Sequence, residues 1–504
     1  MWYDLLTGFG NALEPLNFLS IILGSIIGFS IGAFPALDTT VGTALMIPLS
    51  FAMTPTQALL LLTALYCNGS YAGGISAILF RIPGSGEAIM TTLDGYKFTE
   101  KGKANEALGL HLVSSVIGGI FGSLTLIFAT PLLTNFALRF GPAEYFALGV
   151  FGMTCVSGLA GISIARGLIT GAIGMLLATV GIDPISGMPR FTFGSGSMLG
   201  GIGFLPATIG LFAGAEVFKQ VAREKPFSVT AGGGEEVIQK RRVRIKLPSL
   251  SEFYRSNRKW LVLKSAVIGV LIGAMPAVGG TTACVVSYGA AVRSSKHPET
   301  FGTGEPEGVI APEVANNACA PAAMIPMLSL GIPGSGNTAI ILGAFLMHGI
   351  DAGPMFLVQQ REIAFTVMAG VFLAQLVMFF IPFAGVIPFM KLRSLPGSFL
   401  AIFILSFALL GSAATSSPHA LPQAVLMGVF GYFLERYRFP LGPIVFGMVL
   451  GPIIEKSLRR ALVITQNDFL AVVSQPISLC LLLGALFVAL FPLIRKMLKN
   501  SKTL

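Results

Sequence analysis

Two copies of one pentapeptide, Ile82-Pro83-Gly84-Ser85-Gly86 and Ile332-Pro333-Gly334-Ser335-Gly336, interrupt long apolar runs of this chain. Pro removes a backbone donor and Gly tolerates left-handed angles, so each copy predicts a tight turn or a helix break. The runs themselves read as membrane segments: of 504 residues 54% are hydrophobic and 11% charged, against roughly 25% charged in soluble domains. Inside hydrocarbon, such a break is tolerable only where protein or a water-filled cavity surrounds it.

A spanning helix needs ~20 mostly apolar residues. By that measure spans are expected near 16–35, 39–53, 56–80, 107–133, 142–160, 165–182 and 201–221, with an interrupted hairpin at 82–93. After a polar stretch, further spans fall at 261–276, 281–292, 313–330, 363–390, 399–414, 421–434, 441–458 and 469–494, with a second hairpin at 332–348. The fold expected is an all-α polytopic membrane protein of about 12–15 transmembrane segments plus two re-entrant hairpins. Its divisions are a first repeat at 1–222, a basic linker at 223–259, a second repeat at 260–460, and a terminal span with tail at 461–504.

From Lys219 to Lys264 the chain carries twelve Lys/Arg against four Glu, including Lys240-Arg241-Arg242-Val243-Arg244, with Ala231-Gly-Gly-Gly234 as its flexible part. The positive-inside rule places this stretch in the cytoplasm. The same rule, rather than nucleic-acid binding, accounts for the net charge of +10, because the basic residues sit in short loops between apolar spans. The N-terminus lacks the charged region of a cleavable signal peptide, so the first apolar segment is expected to stay as a span.

The halves repeat. Ile27-Gly-Phe-Ser-Ile-Gly-Ala-Phe-Pro-Ala36 aligns with Ile268-Gly-Val-Leu-Ile-Gly-Ala-Met-Pro-Ala277, and Thr40 falls opposite Thr281. Weaker matches pair Pro142 with Pro396, Gly174 with Gly428, and Gly210-xxx-Gly214 with Gly447-xxx-Gly451. Counting seven spans back from an inside linker puts the N-terminus in the periplasm and gives the two halves opposite orientations, and Arg495, Lys496, Lys499 and Lys502 mark the C-terminal tail as cytoplasmic. Lys97, Lys101 and Lys103 then fall inside, while the matching loop with Asp351, Arg361 and Glu362 falls outside. This is the inverted repeat of secondary transporters, with the site between the halves.

At the tips, Pro83, Gly84, Ser85 and Gly86, with Pro333, Gly334, Ser335 and Gly336, offer free backbone N–H groups. A helix restarting after each would aim its positive end at an anion. Each could equally be a kink between packed helices. Asn68 with Gly69, and Asn316 with Asn317 and Asn337, supply hard oxygen ligands for a small cation such as Na⁺, or act as interhelical glue. Thr39 and Thr40 after Asp38, with Thr281 and Thr282 after Gly279, line the path or end their helices.

Arg81 could hold a substrate carboxylate, pair with Glu87, or snorkel to the surface; the last two together are favoured, because Glu87 beside an anion would repel it. Glu216 and Glu313 are placed at span ends or helix starts, His111 and His348 alone on apolar faces, and all five cysteines read as buried thiols in apolar surroundings, with no disulfide or transition-metal spacing. An intramembrane hydrolase would need a base beside Ser85 or Ser335, and the duplication copies the serine without copying a histidine. A non-transporting scaffold stays as the other reading.

Glu307-Gly-Val-Ile-Ala-Pro-Glu-Val-Ala-Asn-Asn317 with Leu330-Gly-Ile-Pro-Gly-Ser-Gly336 and Leu342-Gly-Ala-Phe345 resembles the large membrane subunit of the tripartite tricarboxylate transporter family. So do Gly74-Ile-Ser-Ala-Ile-Leu79, Ile82-Pro-Gly84 and Thr92-Leu-Asp-Gly-Tyr96, and the match runs along essentially the whole chain. The resemblance implies uptake of carboxylates such as citrate across the bacterial inner membrane without ATP, no enzymatic activity and no cofactor. It also implies Na⁺ or H⁺ as coupling ion, a small membrane subunit and a periplasmic substrate-binding protein. By analogy with other inverted-repeat carriers, the core would move like an elevator. A stand-alone carrier is the alternative. The chain departs from the family where members often have Pro-Gly at Pro35-Ala36 and Pro276-Ala277, and Asn at Arg81.

Overall fold

The structure is a computed structural model describing residues 1–34, 38–159, 163–222, 244–253, 258–276, 278–392, 406 and 419–500. Residues 223–243 of the linker, Pro35, Ala36, Ala277, Pro396 and all but residue 406 of the expected span 399–414 lie outside the described residues. Among the described residues the protein is almost wholly helical, with one antiparallel pair of two-residue strands that sets Gly181 opposite Arg190.

In chain order the helices begin α1 Trp2–Ala12, α2 Pro15–Ala33, α3 Thr39–Ser50, α4 Pro55–Phe80, α5 Thr91–Glu100, α6 Ala104–Ala137, α7 Pro142–Leu159 and α8 Ile164–Ala178. Next come α9 Phe204–Ile209, a π turn at Gly210–Gly214, α10 Ala215–Ala222, α11 Arg258–Gly273, α12 Gly279–Ser294, α13 Pro306–Ala322 and α14 Met324–Leu330. The remainder are α15 Gly336–Met347, α16 Pro354–Gln359, α17 Arg361–Leu392, α18 Ala420–Arg436, α19 Gly442–Ile464, α20 Phe469–Val473 and α21 Pro476–Asn500. Four stretches are long and apolar enough to cross a membrane among the described residues: Pro15–Ala33, Pro55–Phe80, Ala104–Ala137 and Arg361–Ala384. Others are shorter than the sequence suggests. With 12 residues α3 is about 18 Å long, little more than half of a ~30 Å hydrocarbon layer.

The chain falls into two compact units: Met1–Thr134 with Lys219–Ala414, and Asn135–Phe218 with Thr415–Leu504. The first is built on glycine stripes. Gly24, Gly28 and Gly32 share one face of α2, and a Cβ at each would stand 2.2, 2.2 and 2.1 Å from the carbonyl oxygens of Leu61, Leu65 and Gly69 on α4. The same contact recurs on α11, where Gly269 and Gly273 meet the carbonyls of Ala315 and Cys319 on α13 at 2.3 and 2.5 Å. On α6, Gly118 and Gly122 approach the Val314 and Ala318 carbonyls of α13. Small residues at a four-residue spacing let backbones touch, the packing that replaces the hydrophobic drive where the surroundings are already apolar. As a result α4 is buried along almost its whole length.

A polar tie joins α5 to the start of α13. Asp94, fully buried, accepts the N–H groups of Gly302, Gly304 and Glu305 at 2.8, 2.9 and 2.8 Å through Oδ1, and the Tyr288 hydroxyl at 2.9 Å through Oδ2. Those amides belong to the turn that leads into Pro306, the first residue of α13, where no ladder partner is at hand. At the N-terminus, α1 has no counterpart among the expected spans, because 11 residues interrupted by Asp4 and Asn11 fall short of a crossing. It lies on α17 through an edge-on Phe9–Phe372 contact and an Asn11–Glu362 hydrogen bond of 2.7 Å. The Arg361 guanidinium at 2.8 Å, helped by the chain's own ammonium, holds the Asp4 carboxyl down to about 2.

The second unit uses the same device. Gly174 of α8 meets the Ile444 carbonyl, Gly447 of α19 meets the Gly171 carbonyl, and Gly210 in the π turn meets the Ala424 carbonyl of α18. The expected span 441–458 leaves Glu455, Lys456, Arg459 and Arg460 facing outward. The structure extends that helix to Ile464 and pairs two of the four, Glu455 with Arg190 at 2.7 Å and Arg459 with Asp183 at 2.8 Å. The Ser186 hydroxyl and then the Arg459 guanidinium keep the Asp183 carboxyl well below the usual carboxylate range. Of the five cysteines, Cys480 is exposed, contrary to the expectation of burial; it sits on α21, whose neighbours Leu479 and Leu483 are also exposed.

Gly28→Ala should lower stability by about 1–3 kcal/mol, since its Cβ meets backbone that no rotamer can clear. Gly10→Ala on α1, with nothing within 4 Å, should be neutral or slightly stabilising. Thermal unfolding of the two purified variants in detergent compares them directly.

Candidate functional site

Both pentapeptides follow a helix that ends in a left-handed residue, Arg81 (φ 59°) after α4 and Gly331 (φ 72°) after α14. Glycine takes that conformation freely; arginine holds it at a cost of ~1–2 kcal/mol. The chain then folds back onto its own half. A Cβ on Gly84 would stand 2.3 Å from the Gly32 carbonyl oxygen, and one on Gly334 would stand 2.8 Å from that of Gly273. Gly32 and Gly273 hold matching places in the repeat. The Gly84 N–H is spent on the Gly73 carbonyl at 3.2 Å.

Across the unit, each tip meets the other half. A Cβ on Gly86 would lie 3.0 Å from Thr281 Oγ1 at the start of α12, and one on Gly336 would lie 3.8 Å from Thr40 Cγ2 at the start of α3. Thr40 in turn donates its hydroxyl and N–H to Asp38, which caps α3. Thr39 is buried against Gly69, and Thr282 bonds back to the Val278 carbonyl at 3.2 Å.

The polar side chains of the second tip are hydrogen-bonded. Ser335 and Thr338 form a capping box at the start of α15, with Ser335 N–H to Thr338 Oγ1 at 2.7 Å and Thr338 N–H to Ser335 Oγ at 3.2 Å. Ser335 Oγ also lies 3.2 Å from the Tyr66 hydroxyl of α4, and Asn337 Oδ1 accepts the Thr43 hydroxyl at 3.1 Å. Pro333 and Gly334 are buried, whereas Pro83 in the first tip is half-buried. That first tip restarts only as a three-residue 3₁₀ turn at Gly86–Ala88, and Ser85 Oγ and Glu87 Oε2 are buried with no hydrogen-bond partner.

Arg81 is exposed and lies over the Tyr96 ring, 5.9 Å from its centroid, and among the described residues it makes no ion pair with Glu87. Of the combined reading, pairing therefore falls away: the left-handed turn carries the Arg81 side chain outward. Asn68 bridges three helices, its Nδ2 reaching Ser25 Oγ, the Ala64 carbonyl and the Ala374 carbonyl. Asn316 Nδ2 donates to the Ser70 carbonyl at 3.2 Å and Asn317 Nδ2 to the Glu313 carbonyl at 3.0 Å. The side-chain oxygens of Asn68, Asn316 and Asn317 are all buried without a partner.

Glu313 and His111 need correction. Glu313 lies in the middle of α13, because Pro306 starts that helix seven residues earlier than the apolar run suggests, and both side chains are buried. His111 Nδ1 is 3.1 Å from Glu313 Oε2, and its Nε2 is 3.0 Å from the Tyr71 carbonyl. A carbonyl only accepts, so Nε2 carries the hydrogen of that bond, and Nδ1 faces the Glu313 carboxyl without a hydrogen bond of its own. Thr91 donates to Glu313 Oε1, Ser115 donates to Oε2 at 3.3 Å, and the imidazole stacks on Tyr71 at 4.5 Å. His348, half-buried, sits 3.1 Å from Ser50 Oγ. Among the described residues no cluster of three His, Cys, Asp or Glu could hold a metal ion.

Spacing could not reveal the His111–Glu313 pair, whose members stand 202 positions apart. The Ser335 cap is legible as a Ser-x-x-Thr spacing at a helix start, with Thr338 in the third position.

Helices that pack backbone to backbone, apolar crossings and buried polar breaks define an all-α, multi-pass membrane protein. The Tripartite tricarboxylate transporter TctA family matches residues 18–446, and the chain belongs to that family, the large subunit of the tripartite tricarboxylate transporter. It is similar to an uncharacterized 52.8 kDa protein of the TAR-I ttuC' 3' region of Agrobacterium vitis, 34% identical over 98% of this chain and 97% of the relative. A second uncharacterized protein, of the TAR-II ttuC' 3' region in the same organism, is 35% identical over 45% of this chain and 96% of its own length. No solved structure matches the chain significantly.

Ser335→Ala should cost about 0.5–2 kcal/mol by removing a cap, while Ser85→Ala, whose hydroxyl has no partner, should stay within about 0.5 kcal/mol of the parent. Chemical or thermal unfolding of both variants checks the contrast.

Proposed function

We propose that this chain is the substrate-translocating large subunit of a binding-protein-dependent secondary transporter that takes up tricarboxylates or related carboxylates, citrate-like, with Na⁺ or H⁺ as co-ion. The observation that carries the reading is the crossed contact of the two tips, the first at Thr281 and the second at Thr40. A pair of repeats related by a two-fold axis in the membrane plane produces such an exchange, and transporters of that design bind substrate where broken helices meet. On this reading the pentapeptides are re-entrant tips entering from opposite faces. The N-terminus is periplasmic, the basic linker and tail are cytoplasmic, and the chain resides in the inner membrane.

A small membrane subunit and a periplasmic substrate-binding protein complete the system. The tip residues Pro83 to Gly86 and Pro333 to Gly336, with Thr39, Thr40, Thr281 and Thr282, surround the carboxylate, and Asn68, Gly69, Asn316, Asn317 and Asn337 serve the cation. Amide N–H groups and hydroxyls suit an anion that must be released again. The tip-bearing core moves past its surroundings in an elevator-like step.

Uptake of labelled citrate into vesicles should require this chain, the small subunit and the binding protein together, and should fall to background when choline replaces Na⁺. Uptake that persists in choline under a pH gradient would replace Na⁺ by H⁺; uptake independent of the binding protein would favour a stand-alone carrier. Sidedness is read from cysteines placed at Gly86 and Gly336 in a cysteine-free background, because Gly84 and Gly334 have no room for a side chain. A membrane-impermeant thiol reagent should reach the first from the cytoplasm and the second from outside.

A further inference from the structure

Glu87 follows the first pentapeptide at the position that Asn337 occupies after the second. Its carboxyl faces the start of α12: a Cβ on Gly280 would stand 2.9 Å from Glu87 Oε1 and 2.6 Å from Asn316 Oδ1. Two acceptor oxygens thus converge on the space left by one missing side chain. Ser70 adjoins both, since its carbonyl takes the Asn316 amide hydrogen and its hydroxyl lies beside the Glu87 carboxyl. Glu87 Oε2, Asn316 Oδ1 and Ser70 Oγ are all buried and without a hydrogen-bond partner, and Asn316 and Ser70 are 2% and 1% exposed.

Glu87 as a whole is half-buried, but a carboxylate oxygen buried without a partner is costly, and orphaned acceptors of this kind call for a missing partner. Among the described residues no cation supplies it: Arg81 points away over Tyr96. Nor is Glu87 a helix cap. A cap accepts an N–H from the second or third residue of its helix, and α12 starts with no side-chain cap. Among the described residues, Asp38, Tyr66, Cys67, Cys284, Cys319 and Glu313 lie near enough to interact with the Glu87 charge, and none of these is a cation.

We propose that Glu87, Asn316 and Ser70 form a site for one Na⁺-sized monovalent cation at the first tip, whose occupancy neutralises Glu87 and so admits a carboxylate substrate between the tips. The proposal rests on the transport reading and gives the co-ion an acidic ligand that the second tip lacks. There Asn337 stands instead of the acid and is already bonded to Thr43.

The test is Na⁺ binding to the purified protein, without substrate, partner proteins or uptake. Thermal stability is followed as NaCl replaces choline chloride at constant ionic strength, and ²²Na⁺ binding is measured in parallel at pH 6 and pH 8. The parent should be stabilised saturably by Na⁺. Glu87→Gln and Asn316→Ala should each bind at least about tenfold more weakly, as expected for loss of one charged or polar ligand. Glu87→Asp should retain part of the effect. Gly280→Ala keeps every ligand and fills the space between them, so loss of binding there separates the site from general damage to the charge.

Unchanged Na⁺ affinity in Glu87→Gln and Gly280→Ala would overturn the proposal. So would a parent that responds to acid through Glu87 and to Na⁺ not at all. Failure of vesicle uptake with Na⁺ binding intact would count against the transport reading and leave the site standing.

Discussion

Gly28 and Gly32 on α2, and Gly269 and Gly273 on α11, let two helix pairs lie with backbone against backbone, and the tips depend on that contact. The Gly32 and Gly273 carbonyls that close the packing are the surfaces on which Gly84 and Gly334 rest. A side chain at any of these positions would push a tip away from its seat. In a solvent as apolar as the side chains themselves, dispersion between touching backbones is the main force available, so the scaffold and the site share one set of contacts.

Much of this was readable in the chain. The pentapeptides, the aligned Ile27 and Ile268 segments and the glycine spacings announce broken helices in a duplicated, apolar fold, because they are local patterns with a fixed period. What stayed hidden depends on contacts far apart in sequence. Asp94 meets Gly302 more than two hundred positions away, and His111 meets Glu313 at similar range. Glu313 was misplaced because an apolar run marks where a helix is greasy, whereas Pro306, suited to a helix's first turn, marks where it begins. For Arg81 a charge in sequence does not tell its direction, which the left-handed backbone at that residue decides. Asn would tolerate that left-handed geometry better than Arg.

The tips are unequal in a way that follows from two substitutions between the halves. Asp38 has Gly279 as its counterpart, and Glu87 has Asn337. Because the first tip meets α12 and the second meets α3, the acids are dealt one to each meeting place. The first receives Glu87 opposite an uncapped helix; the second receives Asp38, already engaged with Thr40. One carboxylate is spent on holding a helix start and the other is left open. That division of labour explains how a duplicated site keeps its geometry while its electrostatics diverge.

Asp94 sets a limit on motion within its unit. Pulling α5 from the start of α13 would strand one carboxylate and three amides in a poorly solvated place, at several kcal/mol for the set. The segment that follows the first tip and the helix that carries Asn316 and Asn317 are therefore latched into one piece. Any conformational cycle has to find its hinge elsewhere along the chain, and mobility measured on either side of this latch should rise and fall together.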